Sequence, residues 1–235
     1  MIGMPLDYLR LTRASNLPTI ATNILATSTT AGLAAAAIGH RWWLCFLAIA
    51  CVYAAGMILN DLTDRFIDRY ERPDRPIPSG RIALFLARLL AVILIGLAVA
   101  LAGIHARSAL PWLFLLIILV GLYNALPRKS FLGARVMSAC RALIPIITCA
   151  WLGLAITPVV QILVITTFLY TEIITQLARH EANIPGRPQL VQLAIAGFCL
   201  HDAIWIFFAG EPTATVIAVL CALLTLLLHR LIPGS

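Results

Sequence analysis

Apolar residues run along this chain in long, nearly unbroken blocks, and the polar residues gather in the short gaps between them. Blocks of about 17 to 25 apolar residues have the length that crosses a bilayer as α-helix. An outer-membrane barrel would instead alternate apolar and polar positions within segments of about ten residues. The pattern predicts eight crossings, at roughly residues 17–38, 42–60, 82–104, 109–126, 138–156, 158–178, 189–209 and 212–231. Pro111, Pro158 and Pro212 fall near predicted helix starts, where a missing N–H costs little. Pro145 lies inside the fifth crossing and predicts a kink, which membrane helices tolerate when neighbours satisfy the freed carbonyl. The expected fold class is an all-α polytopic membrane protein, one transmembrane domain over residues 1–235.

Composition agrees with that class. The chain is 61% hydrophobic and only 11% charged, with a mean hydropathy of +0.96, whereas soluble domains carry about 25% charged residues. Its net charge of +7 does not point to nucleic acid, because the cations occupy short connections beside apolar helices, where topology uses them. Connections after the second, fourth and sixth crossings hold Arg65, Arg69, Arg72, Arg75 and Arg81, then Arg128, Lys129 and Arg135, then Arg179 and Arg187. The alternate connections hold little more than Arg41 and Arg107. The positive-inside rule then expects the rich loops and both termini in the cytoplasm, as for a multi-pass protein of the inner (cytoplasmic) membrane. Arg10, Arg13 and Arg230 agree with that orientation. The N-terminal segment has no cleavable signal pattern. Cys45, Cys51, Cys140, Cys149, Cys199 and Cys221 lie within apolar segments, as small buried hydrophobes do. Trp42, Trp43 and Trp112 sit at span edges, the place of interfacial anchors.

One stretch departs from the apolar pattern. Residues 58–80, ILNDLTDRFIDRYERPDRPIPSG, hold Asn60, Asp61, Asp64 and Asp68 in the order N-D-x-x-D-x-x-x-D, followed by Arg72 and Arg75. At about 100° per residue the three aspartates share an arc of about 60° on a helix, with Asn60 beside Asp64. Three carboxylates on one stripe at the end of a membrane helix repel each other unless something positive neutralises them. Two neutralisers fit. Arg65, Arg69, Arg72 and Arg75 would make a solvated salt-bridge cluster; alternatively, an oxygen-only ligand set without His or Cys suits Mg²⁺. Mg²⁺ usually takes one or two carboxylates plus substrate phosphates, which would turn the arginines into phosphate clamps.

The motif resembles the first aspartate-rich motif of the UbiA superfamily of intramembrane prenyltransferases, and RPDRPIPSG (72–80) is similar to the segment that follows it there. The fuller string YAAGMILNDLTDRFIDRYERPDRPIPSG looks most like the branch encoded in the Ebo gene clusters. Further likeness lies in YNALPRKSFLGARVMSACRAL (123–143) and QLARHEA (176–182). The resemblance implies a helical bundle around a central cavity that opens sideways to lipid. It implies transfer of a prenyl group from an isoprenoid diphosphate to an acceptor, with release of diphosphate. By resemblance Asp61, Asp64 and Asp68 would hold Mg²⁺ on the diphosphate, and Asn60 would line the site. Lys129 and Arg141 match diphosphate-contacting positions, Tyr123 a cavity tyrosine near the reacting carbon, and Asn16 a family asparagine.

The superfamily usually carries a second D-x-x-x-D motif at the cytoplasmic end of the sixth crossing. That place here reads YTEIITQLARHEANIPGR, without aspartate. Spacing puts Glu172, Gln176 and Arg179 on one face, and the resemblance makes Arg179 and Glu181 the candidates for substrate binding. The altered motif keeps open a second reading, a non-catalytic isoprenoid-lipid binding or transport protein on the same fold. The acceptor, a small molecule or lipid, is not named by the sequence, nor is the oligomeric state. His201 and Asp202, towards the outer half of the seventh crossing, are expected to form a local pair or a helix contact.

Overall fold

The computed structural model describes residues 4–127, 130–179 and 187–232, with backbone alone at 179, 187 and 188. Within them the chain forms helices and no strand. The helices are α1 (Pro5–Leu11), α2 (Leu17–Thr30), α3 (His40–Thr63), α4 (Arg65–Glu71), α5 (Leu84–His105), α6 (Leu110–Ala125), α7 (Phe131–Leu152), α8 (Pro158–Arg179), α9 (Arg187–Phe208) and α10 (Pro212–Leu231). Seven helical spans among the described residues are long and apolar enough to cross a membrane: α3, α5, α6 together with the 3₁₀ turn from Arg107, and α7 to α10. A 22-residue helix such as α5 rises about 33 Å, enough for a hydrocarbon layer of about 30 Å. Their outer faces carry Phe85, Val92, Ile118, Phe207 and Leu223, all exposed, as surfaces solvated by lipid would be.

The first predicted crossing behaves differently. It ends at Thr30 rather than near residue 38, because Gly32 turns the chain at φ +91° and Leu33 N–H closes back on the Ser28 carbonyl. That leaves 14 residues, about 21 Å of helix. From Thr22 to Thr29 every residue of α2 is buried, because the helix sits inside the bundle against α3, α7, α8, α9 and α10. A helix shielded from lipid on every side can be polar, provided its groups find partners. Thr27, Ser28, Thr29 and Thr30 each donate a hydroxyl to the carbonyl four residues back. Around them Ile20, Ile24, Ile49, Leu113, Ile147, Trp151 and Ile206 form the main apolar core.

Two other boundaries moved. α7 starts at Phe131, seven residues before the expected 138, because its first two turns present Arg135 and Ser138 to α8 rather than to lipid. It runs through Pro145 and stops where Gly153 takes φ +73°. Of the three tryptophans expected at the interface, Trp43 and Trp112 are exposed, whereas Trp42 is buried in the core. All six cysteines are free, and all but the half-buried Cys140 and Cys221 are buried.

Candidate active site

The acidic stripe sits where α3 gives way to α4. Asp64 relaxes to φ −80°, ψ −4° between them, yet its N–H still reaches the Asn60 carbonyl and its carbonyl still accepts from Asp68, both at 2.9 Å. The helix is therefore bent rather than cut. Across that bend Asp61 and Asp68 still face one guanidinium, that of Arg75, while Asp64 neighbours Asn60.

Asp68 turns inward and is fully buried. Its partner is Arg75, delivered by the turn after α4: Ser79 caps the Arg75 carbonyl with both its N–H and its hydroxyl, and Pro76 and Ile77 bury the loop against the bundle. Arg75 Nη1 donates to Asp68 Oδ2 at 2.6 Å and to Asp61 Oδ1 at 3.2 Å. The guanidinium is only 1% exposed, so the arginine pairing, one of the two neutralisers that the sequence left open, is here a buried ion triad rather than a solvated cluster. Asp68 Oδ1 is buried without a hydrogen-bond partner.

Asp61 joins this interior triad to an outer group. Arg13, in the segment between α1 and α2, lies 3.5 Å from Asp61 Oδ1 and donates to Asn60 Oδ1 at 3.3 Å. Asn60 in turn approaches Asp64 Oδ2 at 3.5 Å, and Asp64 is half-buried. Arg13 holds φ +48°, a left-handed backbone that costs an arginine about 1–2 kcal/mol; it is the one non-glycine residue described with positive φ. Three residues on, Asn16 donates to the Tyr53 hydroxyl at 2.9 Å, an interhelical bond.

The other expected residues are dispersed. Arg72 caps the end of α4 and is exposed. Tyr123 is half-buried near the end of α6. Arg141 reaches inward from α7, donates to the Thr19 carbonyl at 2.6 Å and stands 4.6 Å over the Phe198 ring, with its Nε buried and unpartnered. Lys129 and Glu181 lie outside the described residues, and Arg179 is described by its backbone only. On α8, Glu172 accepts from Gln176 at 2.8 Å, as the spacing predicts, and from Ser138 at 3.1 Å; Arg135 lies 3.3 Å away. His201 and Asp202 do pair, at 3.1 Å, and Asp202 also contacts α2. Arg13 is the site residue that sequence reasoning missed: it was read as a topology signal, and nothing local marks its left-handed backbone.

Among the described residues no three of His, Cys, Asp and Glu converge closely enough to hold a metal. Asp61 and Asp64, with the Asn60 amide, form an oxygen-only set that fits Mg²⁺ when phosphate oxygens supply the remaining ligands. An apolar recess of about 200 Å³, lined by Thr12, Leu17, Ala50, Cys51, Ala54, Leu90 and Leu94, lies between α2, α3 and α5, its Ala54 wall about two helical turns from Asp61. A second, of about 250 Å³, lies at the other end of the bundle around His40 and Arg41.

The profile of the UbiA prenyltransferase family matches residues 25–232. This chain belongs to that family. Within it, 200 residues are 29% identical to the digeranylgeranylglyceryl phosphate synthase of Methanothrix thermoacetophila, covering 83% of this chain and 68% of that one. A 105-residue segment is 32% identical to the synthase of the same name from Sulfolobus acidocaldarius, covering 43% of this chain but only 38% of the relative. The fold is similar to that of a digeranylgeranylglyceryl phosphate synthase, with a TM-score of 0.64 at 19% identity over 97% of both chains. It is also similar to a UbiA homologue from Archaeoglobus fulgidus bound to GPP and Mg²⁺, with a TM-score of 0.57 at 19% identity over 96% of this chain and 86% of that one. The chain is thus an integral, multi-pass membrane protein of the UbiA prenyltransferase family.

Proposed function

We propose that this UbiA-family protein transfers a prenyl group, with Mg²⁺, from an isoprenoid diphosphate to an acceptor at the cytoplasmic edge of the inner membrane, releasing diphosphate. The observation that carries this reading is the outer group Asn60–Asp61–Asp64, bridged by Arg13 and backed by the buried Arg75–Asp68 pair. Asp61 and Asp64 would hold Mg²⁺, which would supply positive charge to the leaving diphosphate. Arg13 flanks the same place, Arg72 stands exposed at the end of α4, and Arg141 presents an unsatisfied Nε from deeper in the bundle. Cations fixed in advance stabilise charge as it develops without reorganising at the moment of reaction. The apolar recess takes the isoprenoid tail and keeps water from the allylic cation. Tyr123 offers that cation a π face. Lys129, Arg179 and Glu181 complete the diphosphate site.

Asp68 belongs to this site through Arg75 rather than as a metal ligand. The orientation with both termini in the cytoplasm follows from the arginine-rich loops. The finer placement in the Ebo-cluster branch rests on residues 53–80, whereas the relatives found are digeranylgeranylglyceryl phosphate synthases, which supports a lipid acceptor equally well.

One observation favours a second reading, binding or transport of an isoprenoid lipid without transfer: Glu172 is engaged by Arg135, Ser138 and Gln176 where the family's second acidic motif would stand. Diphosphate release from geranylgeranyl diphosphate by the purified protein, with and without Mg²⁺ and with candidate acceptors, separates the two. Asp61→Ala and Asp64→Ala abolish Mg²⁺-dependent transfer while the protein stays folded. Unchanged turnover in either variant refutes the site, and binding without turnover in the native protein favours the second reading.

A further inference from the structure

A second polar network lies deeper in the bundle, away from the aspartate stripe. Asp202 on α9 is fully buried. It accepts from the Thr22 hydroxyl at 2.7 Å, the Asn23 amide at 3.2 Å and the His201 ring at 3.1 Å. An ionisable group at membrane depth is costly and persists when fully paired or when it serves chemistry. The pairing fixes the histidine's state. Trp205 Nε1–H, which can only donate, points at His201 Nε2 from 3.4 Å. The neutral ring therefore carries its proton on Nδ1, facing Asp202, and leaves a lone pair on Nε2.

Thr166 touches that lone pair at 3.1 Å, and its hydroxyl lies at the same distance from the Leu163 carbonyl. By rotating, the hydroxyl serves either ring state, whereas Trp205 Nε1–H bonds the neutral ring alone. It donates to Nε2 when the ring is neutral; when Nε2 is protonated it accepts from the ring and donates to Leu163. Asp202 then faces an imidazolium. Asp202, His201 and Thr166 are thus ordered as orienting carboxylate, base and hydroxyl, the arrangement in which a histidine takes up a proton.

A purely structural network would satisfy its neighbours. Here Asn23 Oδ1, Thr167 Oγ1 and Arg141 Nε are buried without partners. Asn23 is itself an Asp202 donor, Thr167 adjoins Thr166, and Arg141 bonds to Thr19 one turn along α2 from Asn23. Asn23 and Thr167 are fully buried, where an unpaired polar atom is costly. A polar ligand bearing hydroxyl groups would satisfy them. His201 keeps 14% of its side chain accessible, while Asp202 keeps none.

We propose that this network is the acceptor site, that the acceptor is an alcohol, and that His201 Nε2 receives its proton. The inference rests on the reading of the protein as a prenyltransferase. In the transfer, the acceptor O–H bond breaks as its oxygen bonds the prenyl C1. The C1–O bond to diphosphate breaks with its electron pair on the leaving group, and the proton passes to His201. Asp202, Thr22 and Asn23 hold the base; Thr166 guides the proton.

The test uses the full-length protein in detergent or nanodiscs, with geranylgeranyl diphosphate as donor and a long-chain glycerol monoether as probe alcohol. His201→Gln is expected to lower kcat for ether formation at least about a hundredfold, with donor binding unchanged and the solvent deuterium isotope effect of the native protein lost. Thr166→Val is expected to lower kcat about tenfold, with Thr166→Ser restoring it. The proposal is overturned if His201→Gln keeps kcat within about threefold, if donor affinity falls in proportion to kcat, or if the native protein prenylates an aromatic carbon and no alcohol. Failure of donor binding or of all transfer in the native protein would instead overturn the prenyltransferase reading itself.

Discussion

Arg75→Met tests the division of labour among the aspartates. Arg75 neutralises Asp68 at 2.6 Å and Asp61 at 3.2 Å with almost no solvent access. Removing one member of a buried ion pair strands its partner and costs about 3–5 kcal/mol. The cost is not doubled, because Asp61 keeps Arg13 at 3.5 Å. The loss corresponds to about two to four decades in the folding equilibrium. The paired variant Arg75→Met/Asp68→Leu removes both buried charges and recovers most of it, since well-packed apolar replacements for a buried pair are often neutral or stabilising. SDS-induced unfolding in micelles, followed by tryptophan fluorescence, measures both effects in a double-mutant cycle with Asp68→Leu. Diphosphate release then reports on chemistry, and the paired variant is expected to retain Mg²⁺-dependent turnover because Asp61 and Asp64 remain. A single variant within about 1 kcal/mol of native refutes the counter-ion role. A stable paired variant that has lost its Mg²⁺ dependence refutes the assignment of Asp68 and returns it to the metal ligands.

Two further outcomes follow from the same geometry. Arg13→Asn keeps a residue that tolerates left-handed backbone but is too short to reach Asp61; stability is expected to stay within about 0.5 kcal/mol, while affinity for prenyl diphosphate falls about tenfold. Unchanged affinity, measured by calorimetry, would remove Arg13 from the site. Glu172→Gln keeps the amide-scale contacts to Ser138 and Gln176 but not the charge facing Arg135; with Arg135 42% exposed the loss is about 1 kcal/mol or less. The Mg²⁺ concentration for half-maximal turnover is expected to stay the same, and a severalfold rise would show that Glu172 binds metal.

Most crossings were legible because a bilayer sets one demand, continuous apolar length, that sequence reports directly. The exceptions have physical causes. α2 was read as too long because its early apolar residues resemble a span, whereas its Thr and Ser residues show a helix surrounded by protein. α7 starts earlier than its apolar run because Arg135 interrupts that run while facing Glu172 on α8. The aspartate motif was legible as a stripe, since Asp61 and Asp68 share Arg75, but not in its burial or partners: nothing local reports that Arg75 folds back onto both or that Arg13 reaches Asp61.

The same limit governs the deeper network. His201 and Asp202 are neighbours in sequence, and their pairing was foreseeable. Their other partners, Thr22, Asn23 and Thr166, come from α2 and α8, far along the chain, and only the packing of α2 inside the bundle brings them in. The polarity of α2 is therefore informative in a way that its hydropathy is not. One end of this helix begins at Asn16, hydrogen-bonded to Tyr53 and three residues from Arg13; Thr19 accepts from Arg141; Thr22 and Asn23 hold Asp202. Seven residues separate Asn16 from Asn23, about 10 Å along the axis. The buried polar groups of this short central helix are best explained by the proposed chemistry: a cationic site for a leaving group at its N-terminal end and a base for a nucleophile beside its middle, held at a distance that one substrate pair can span.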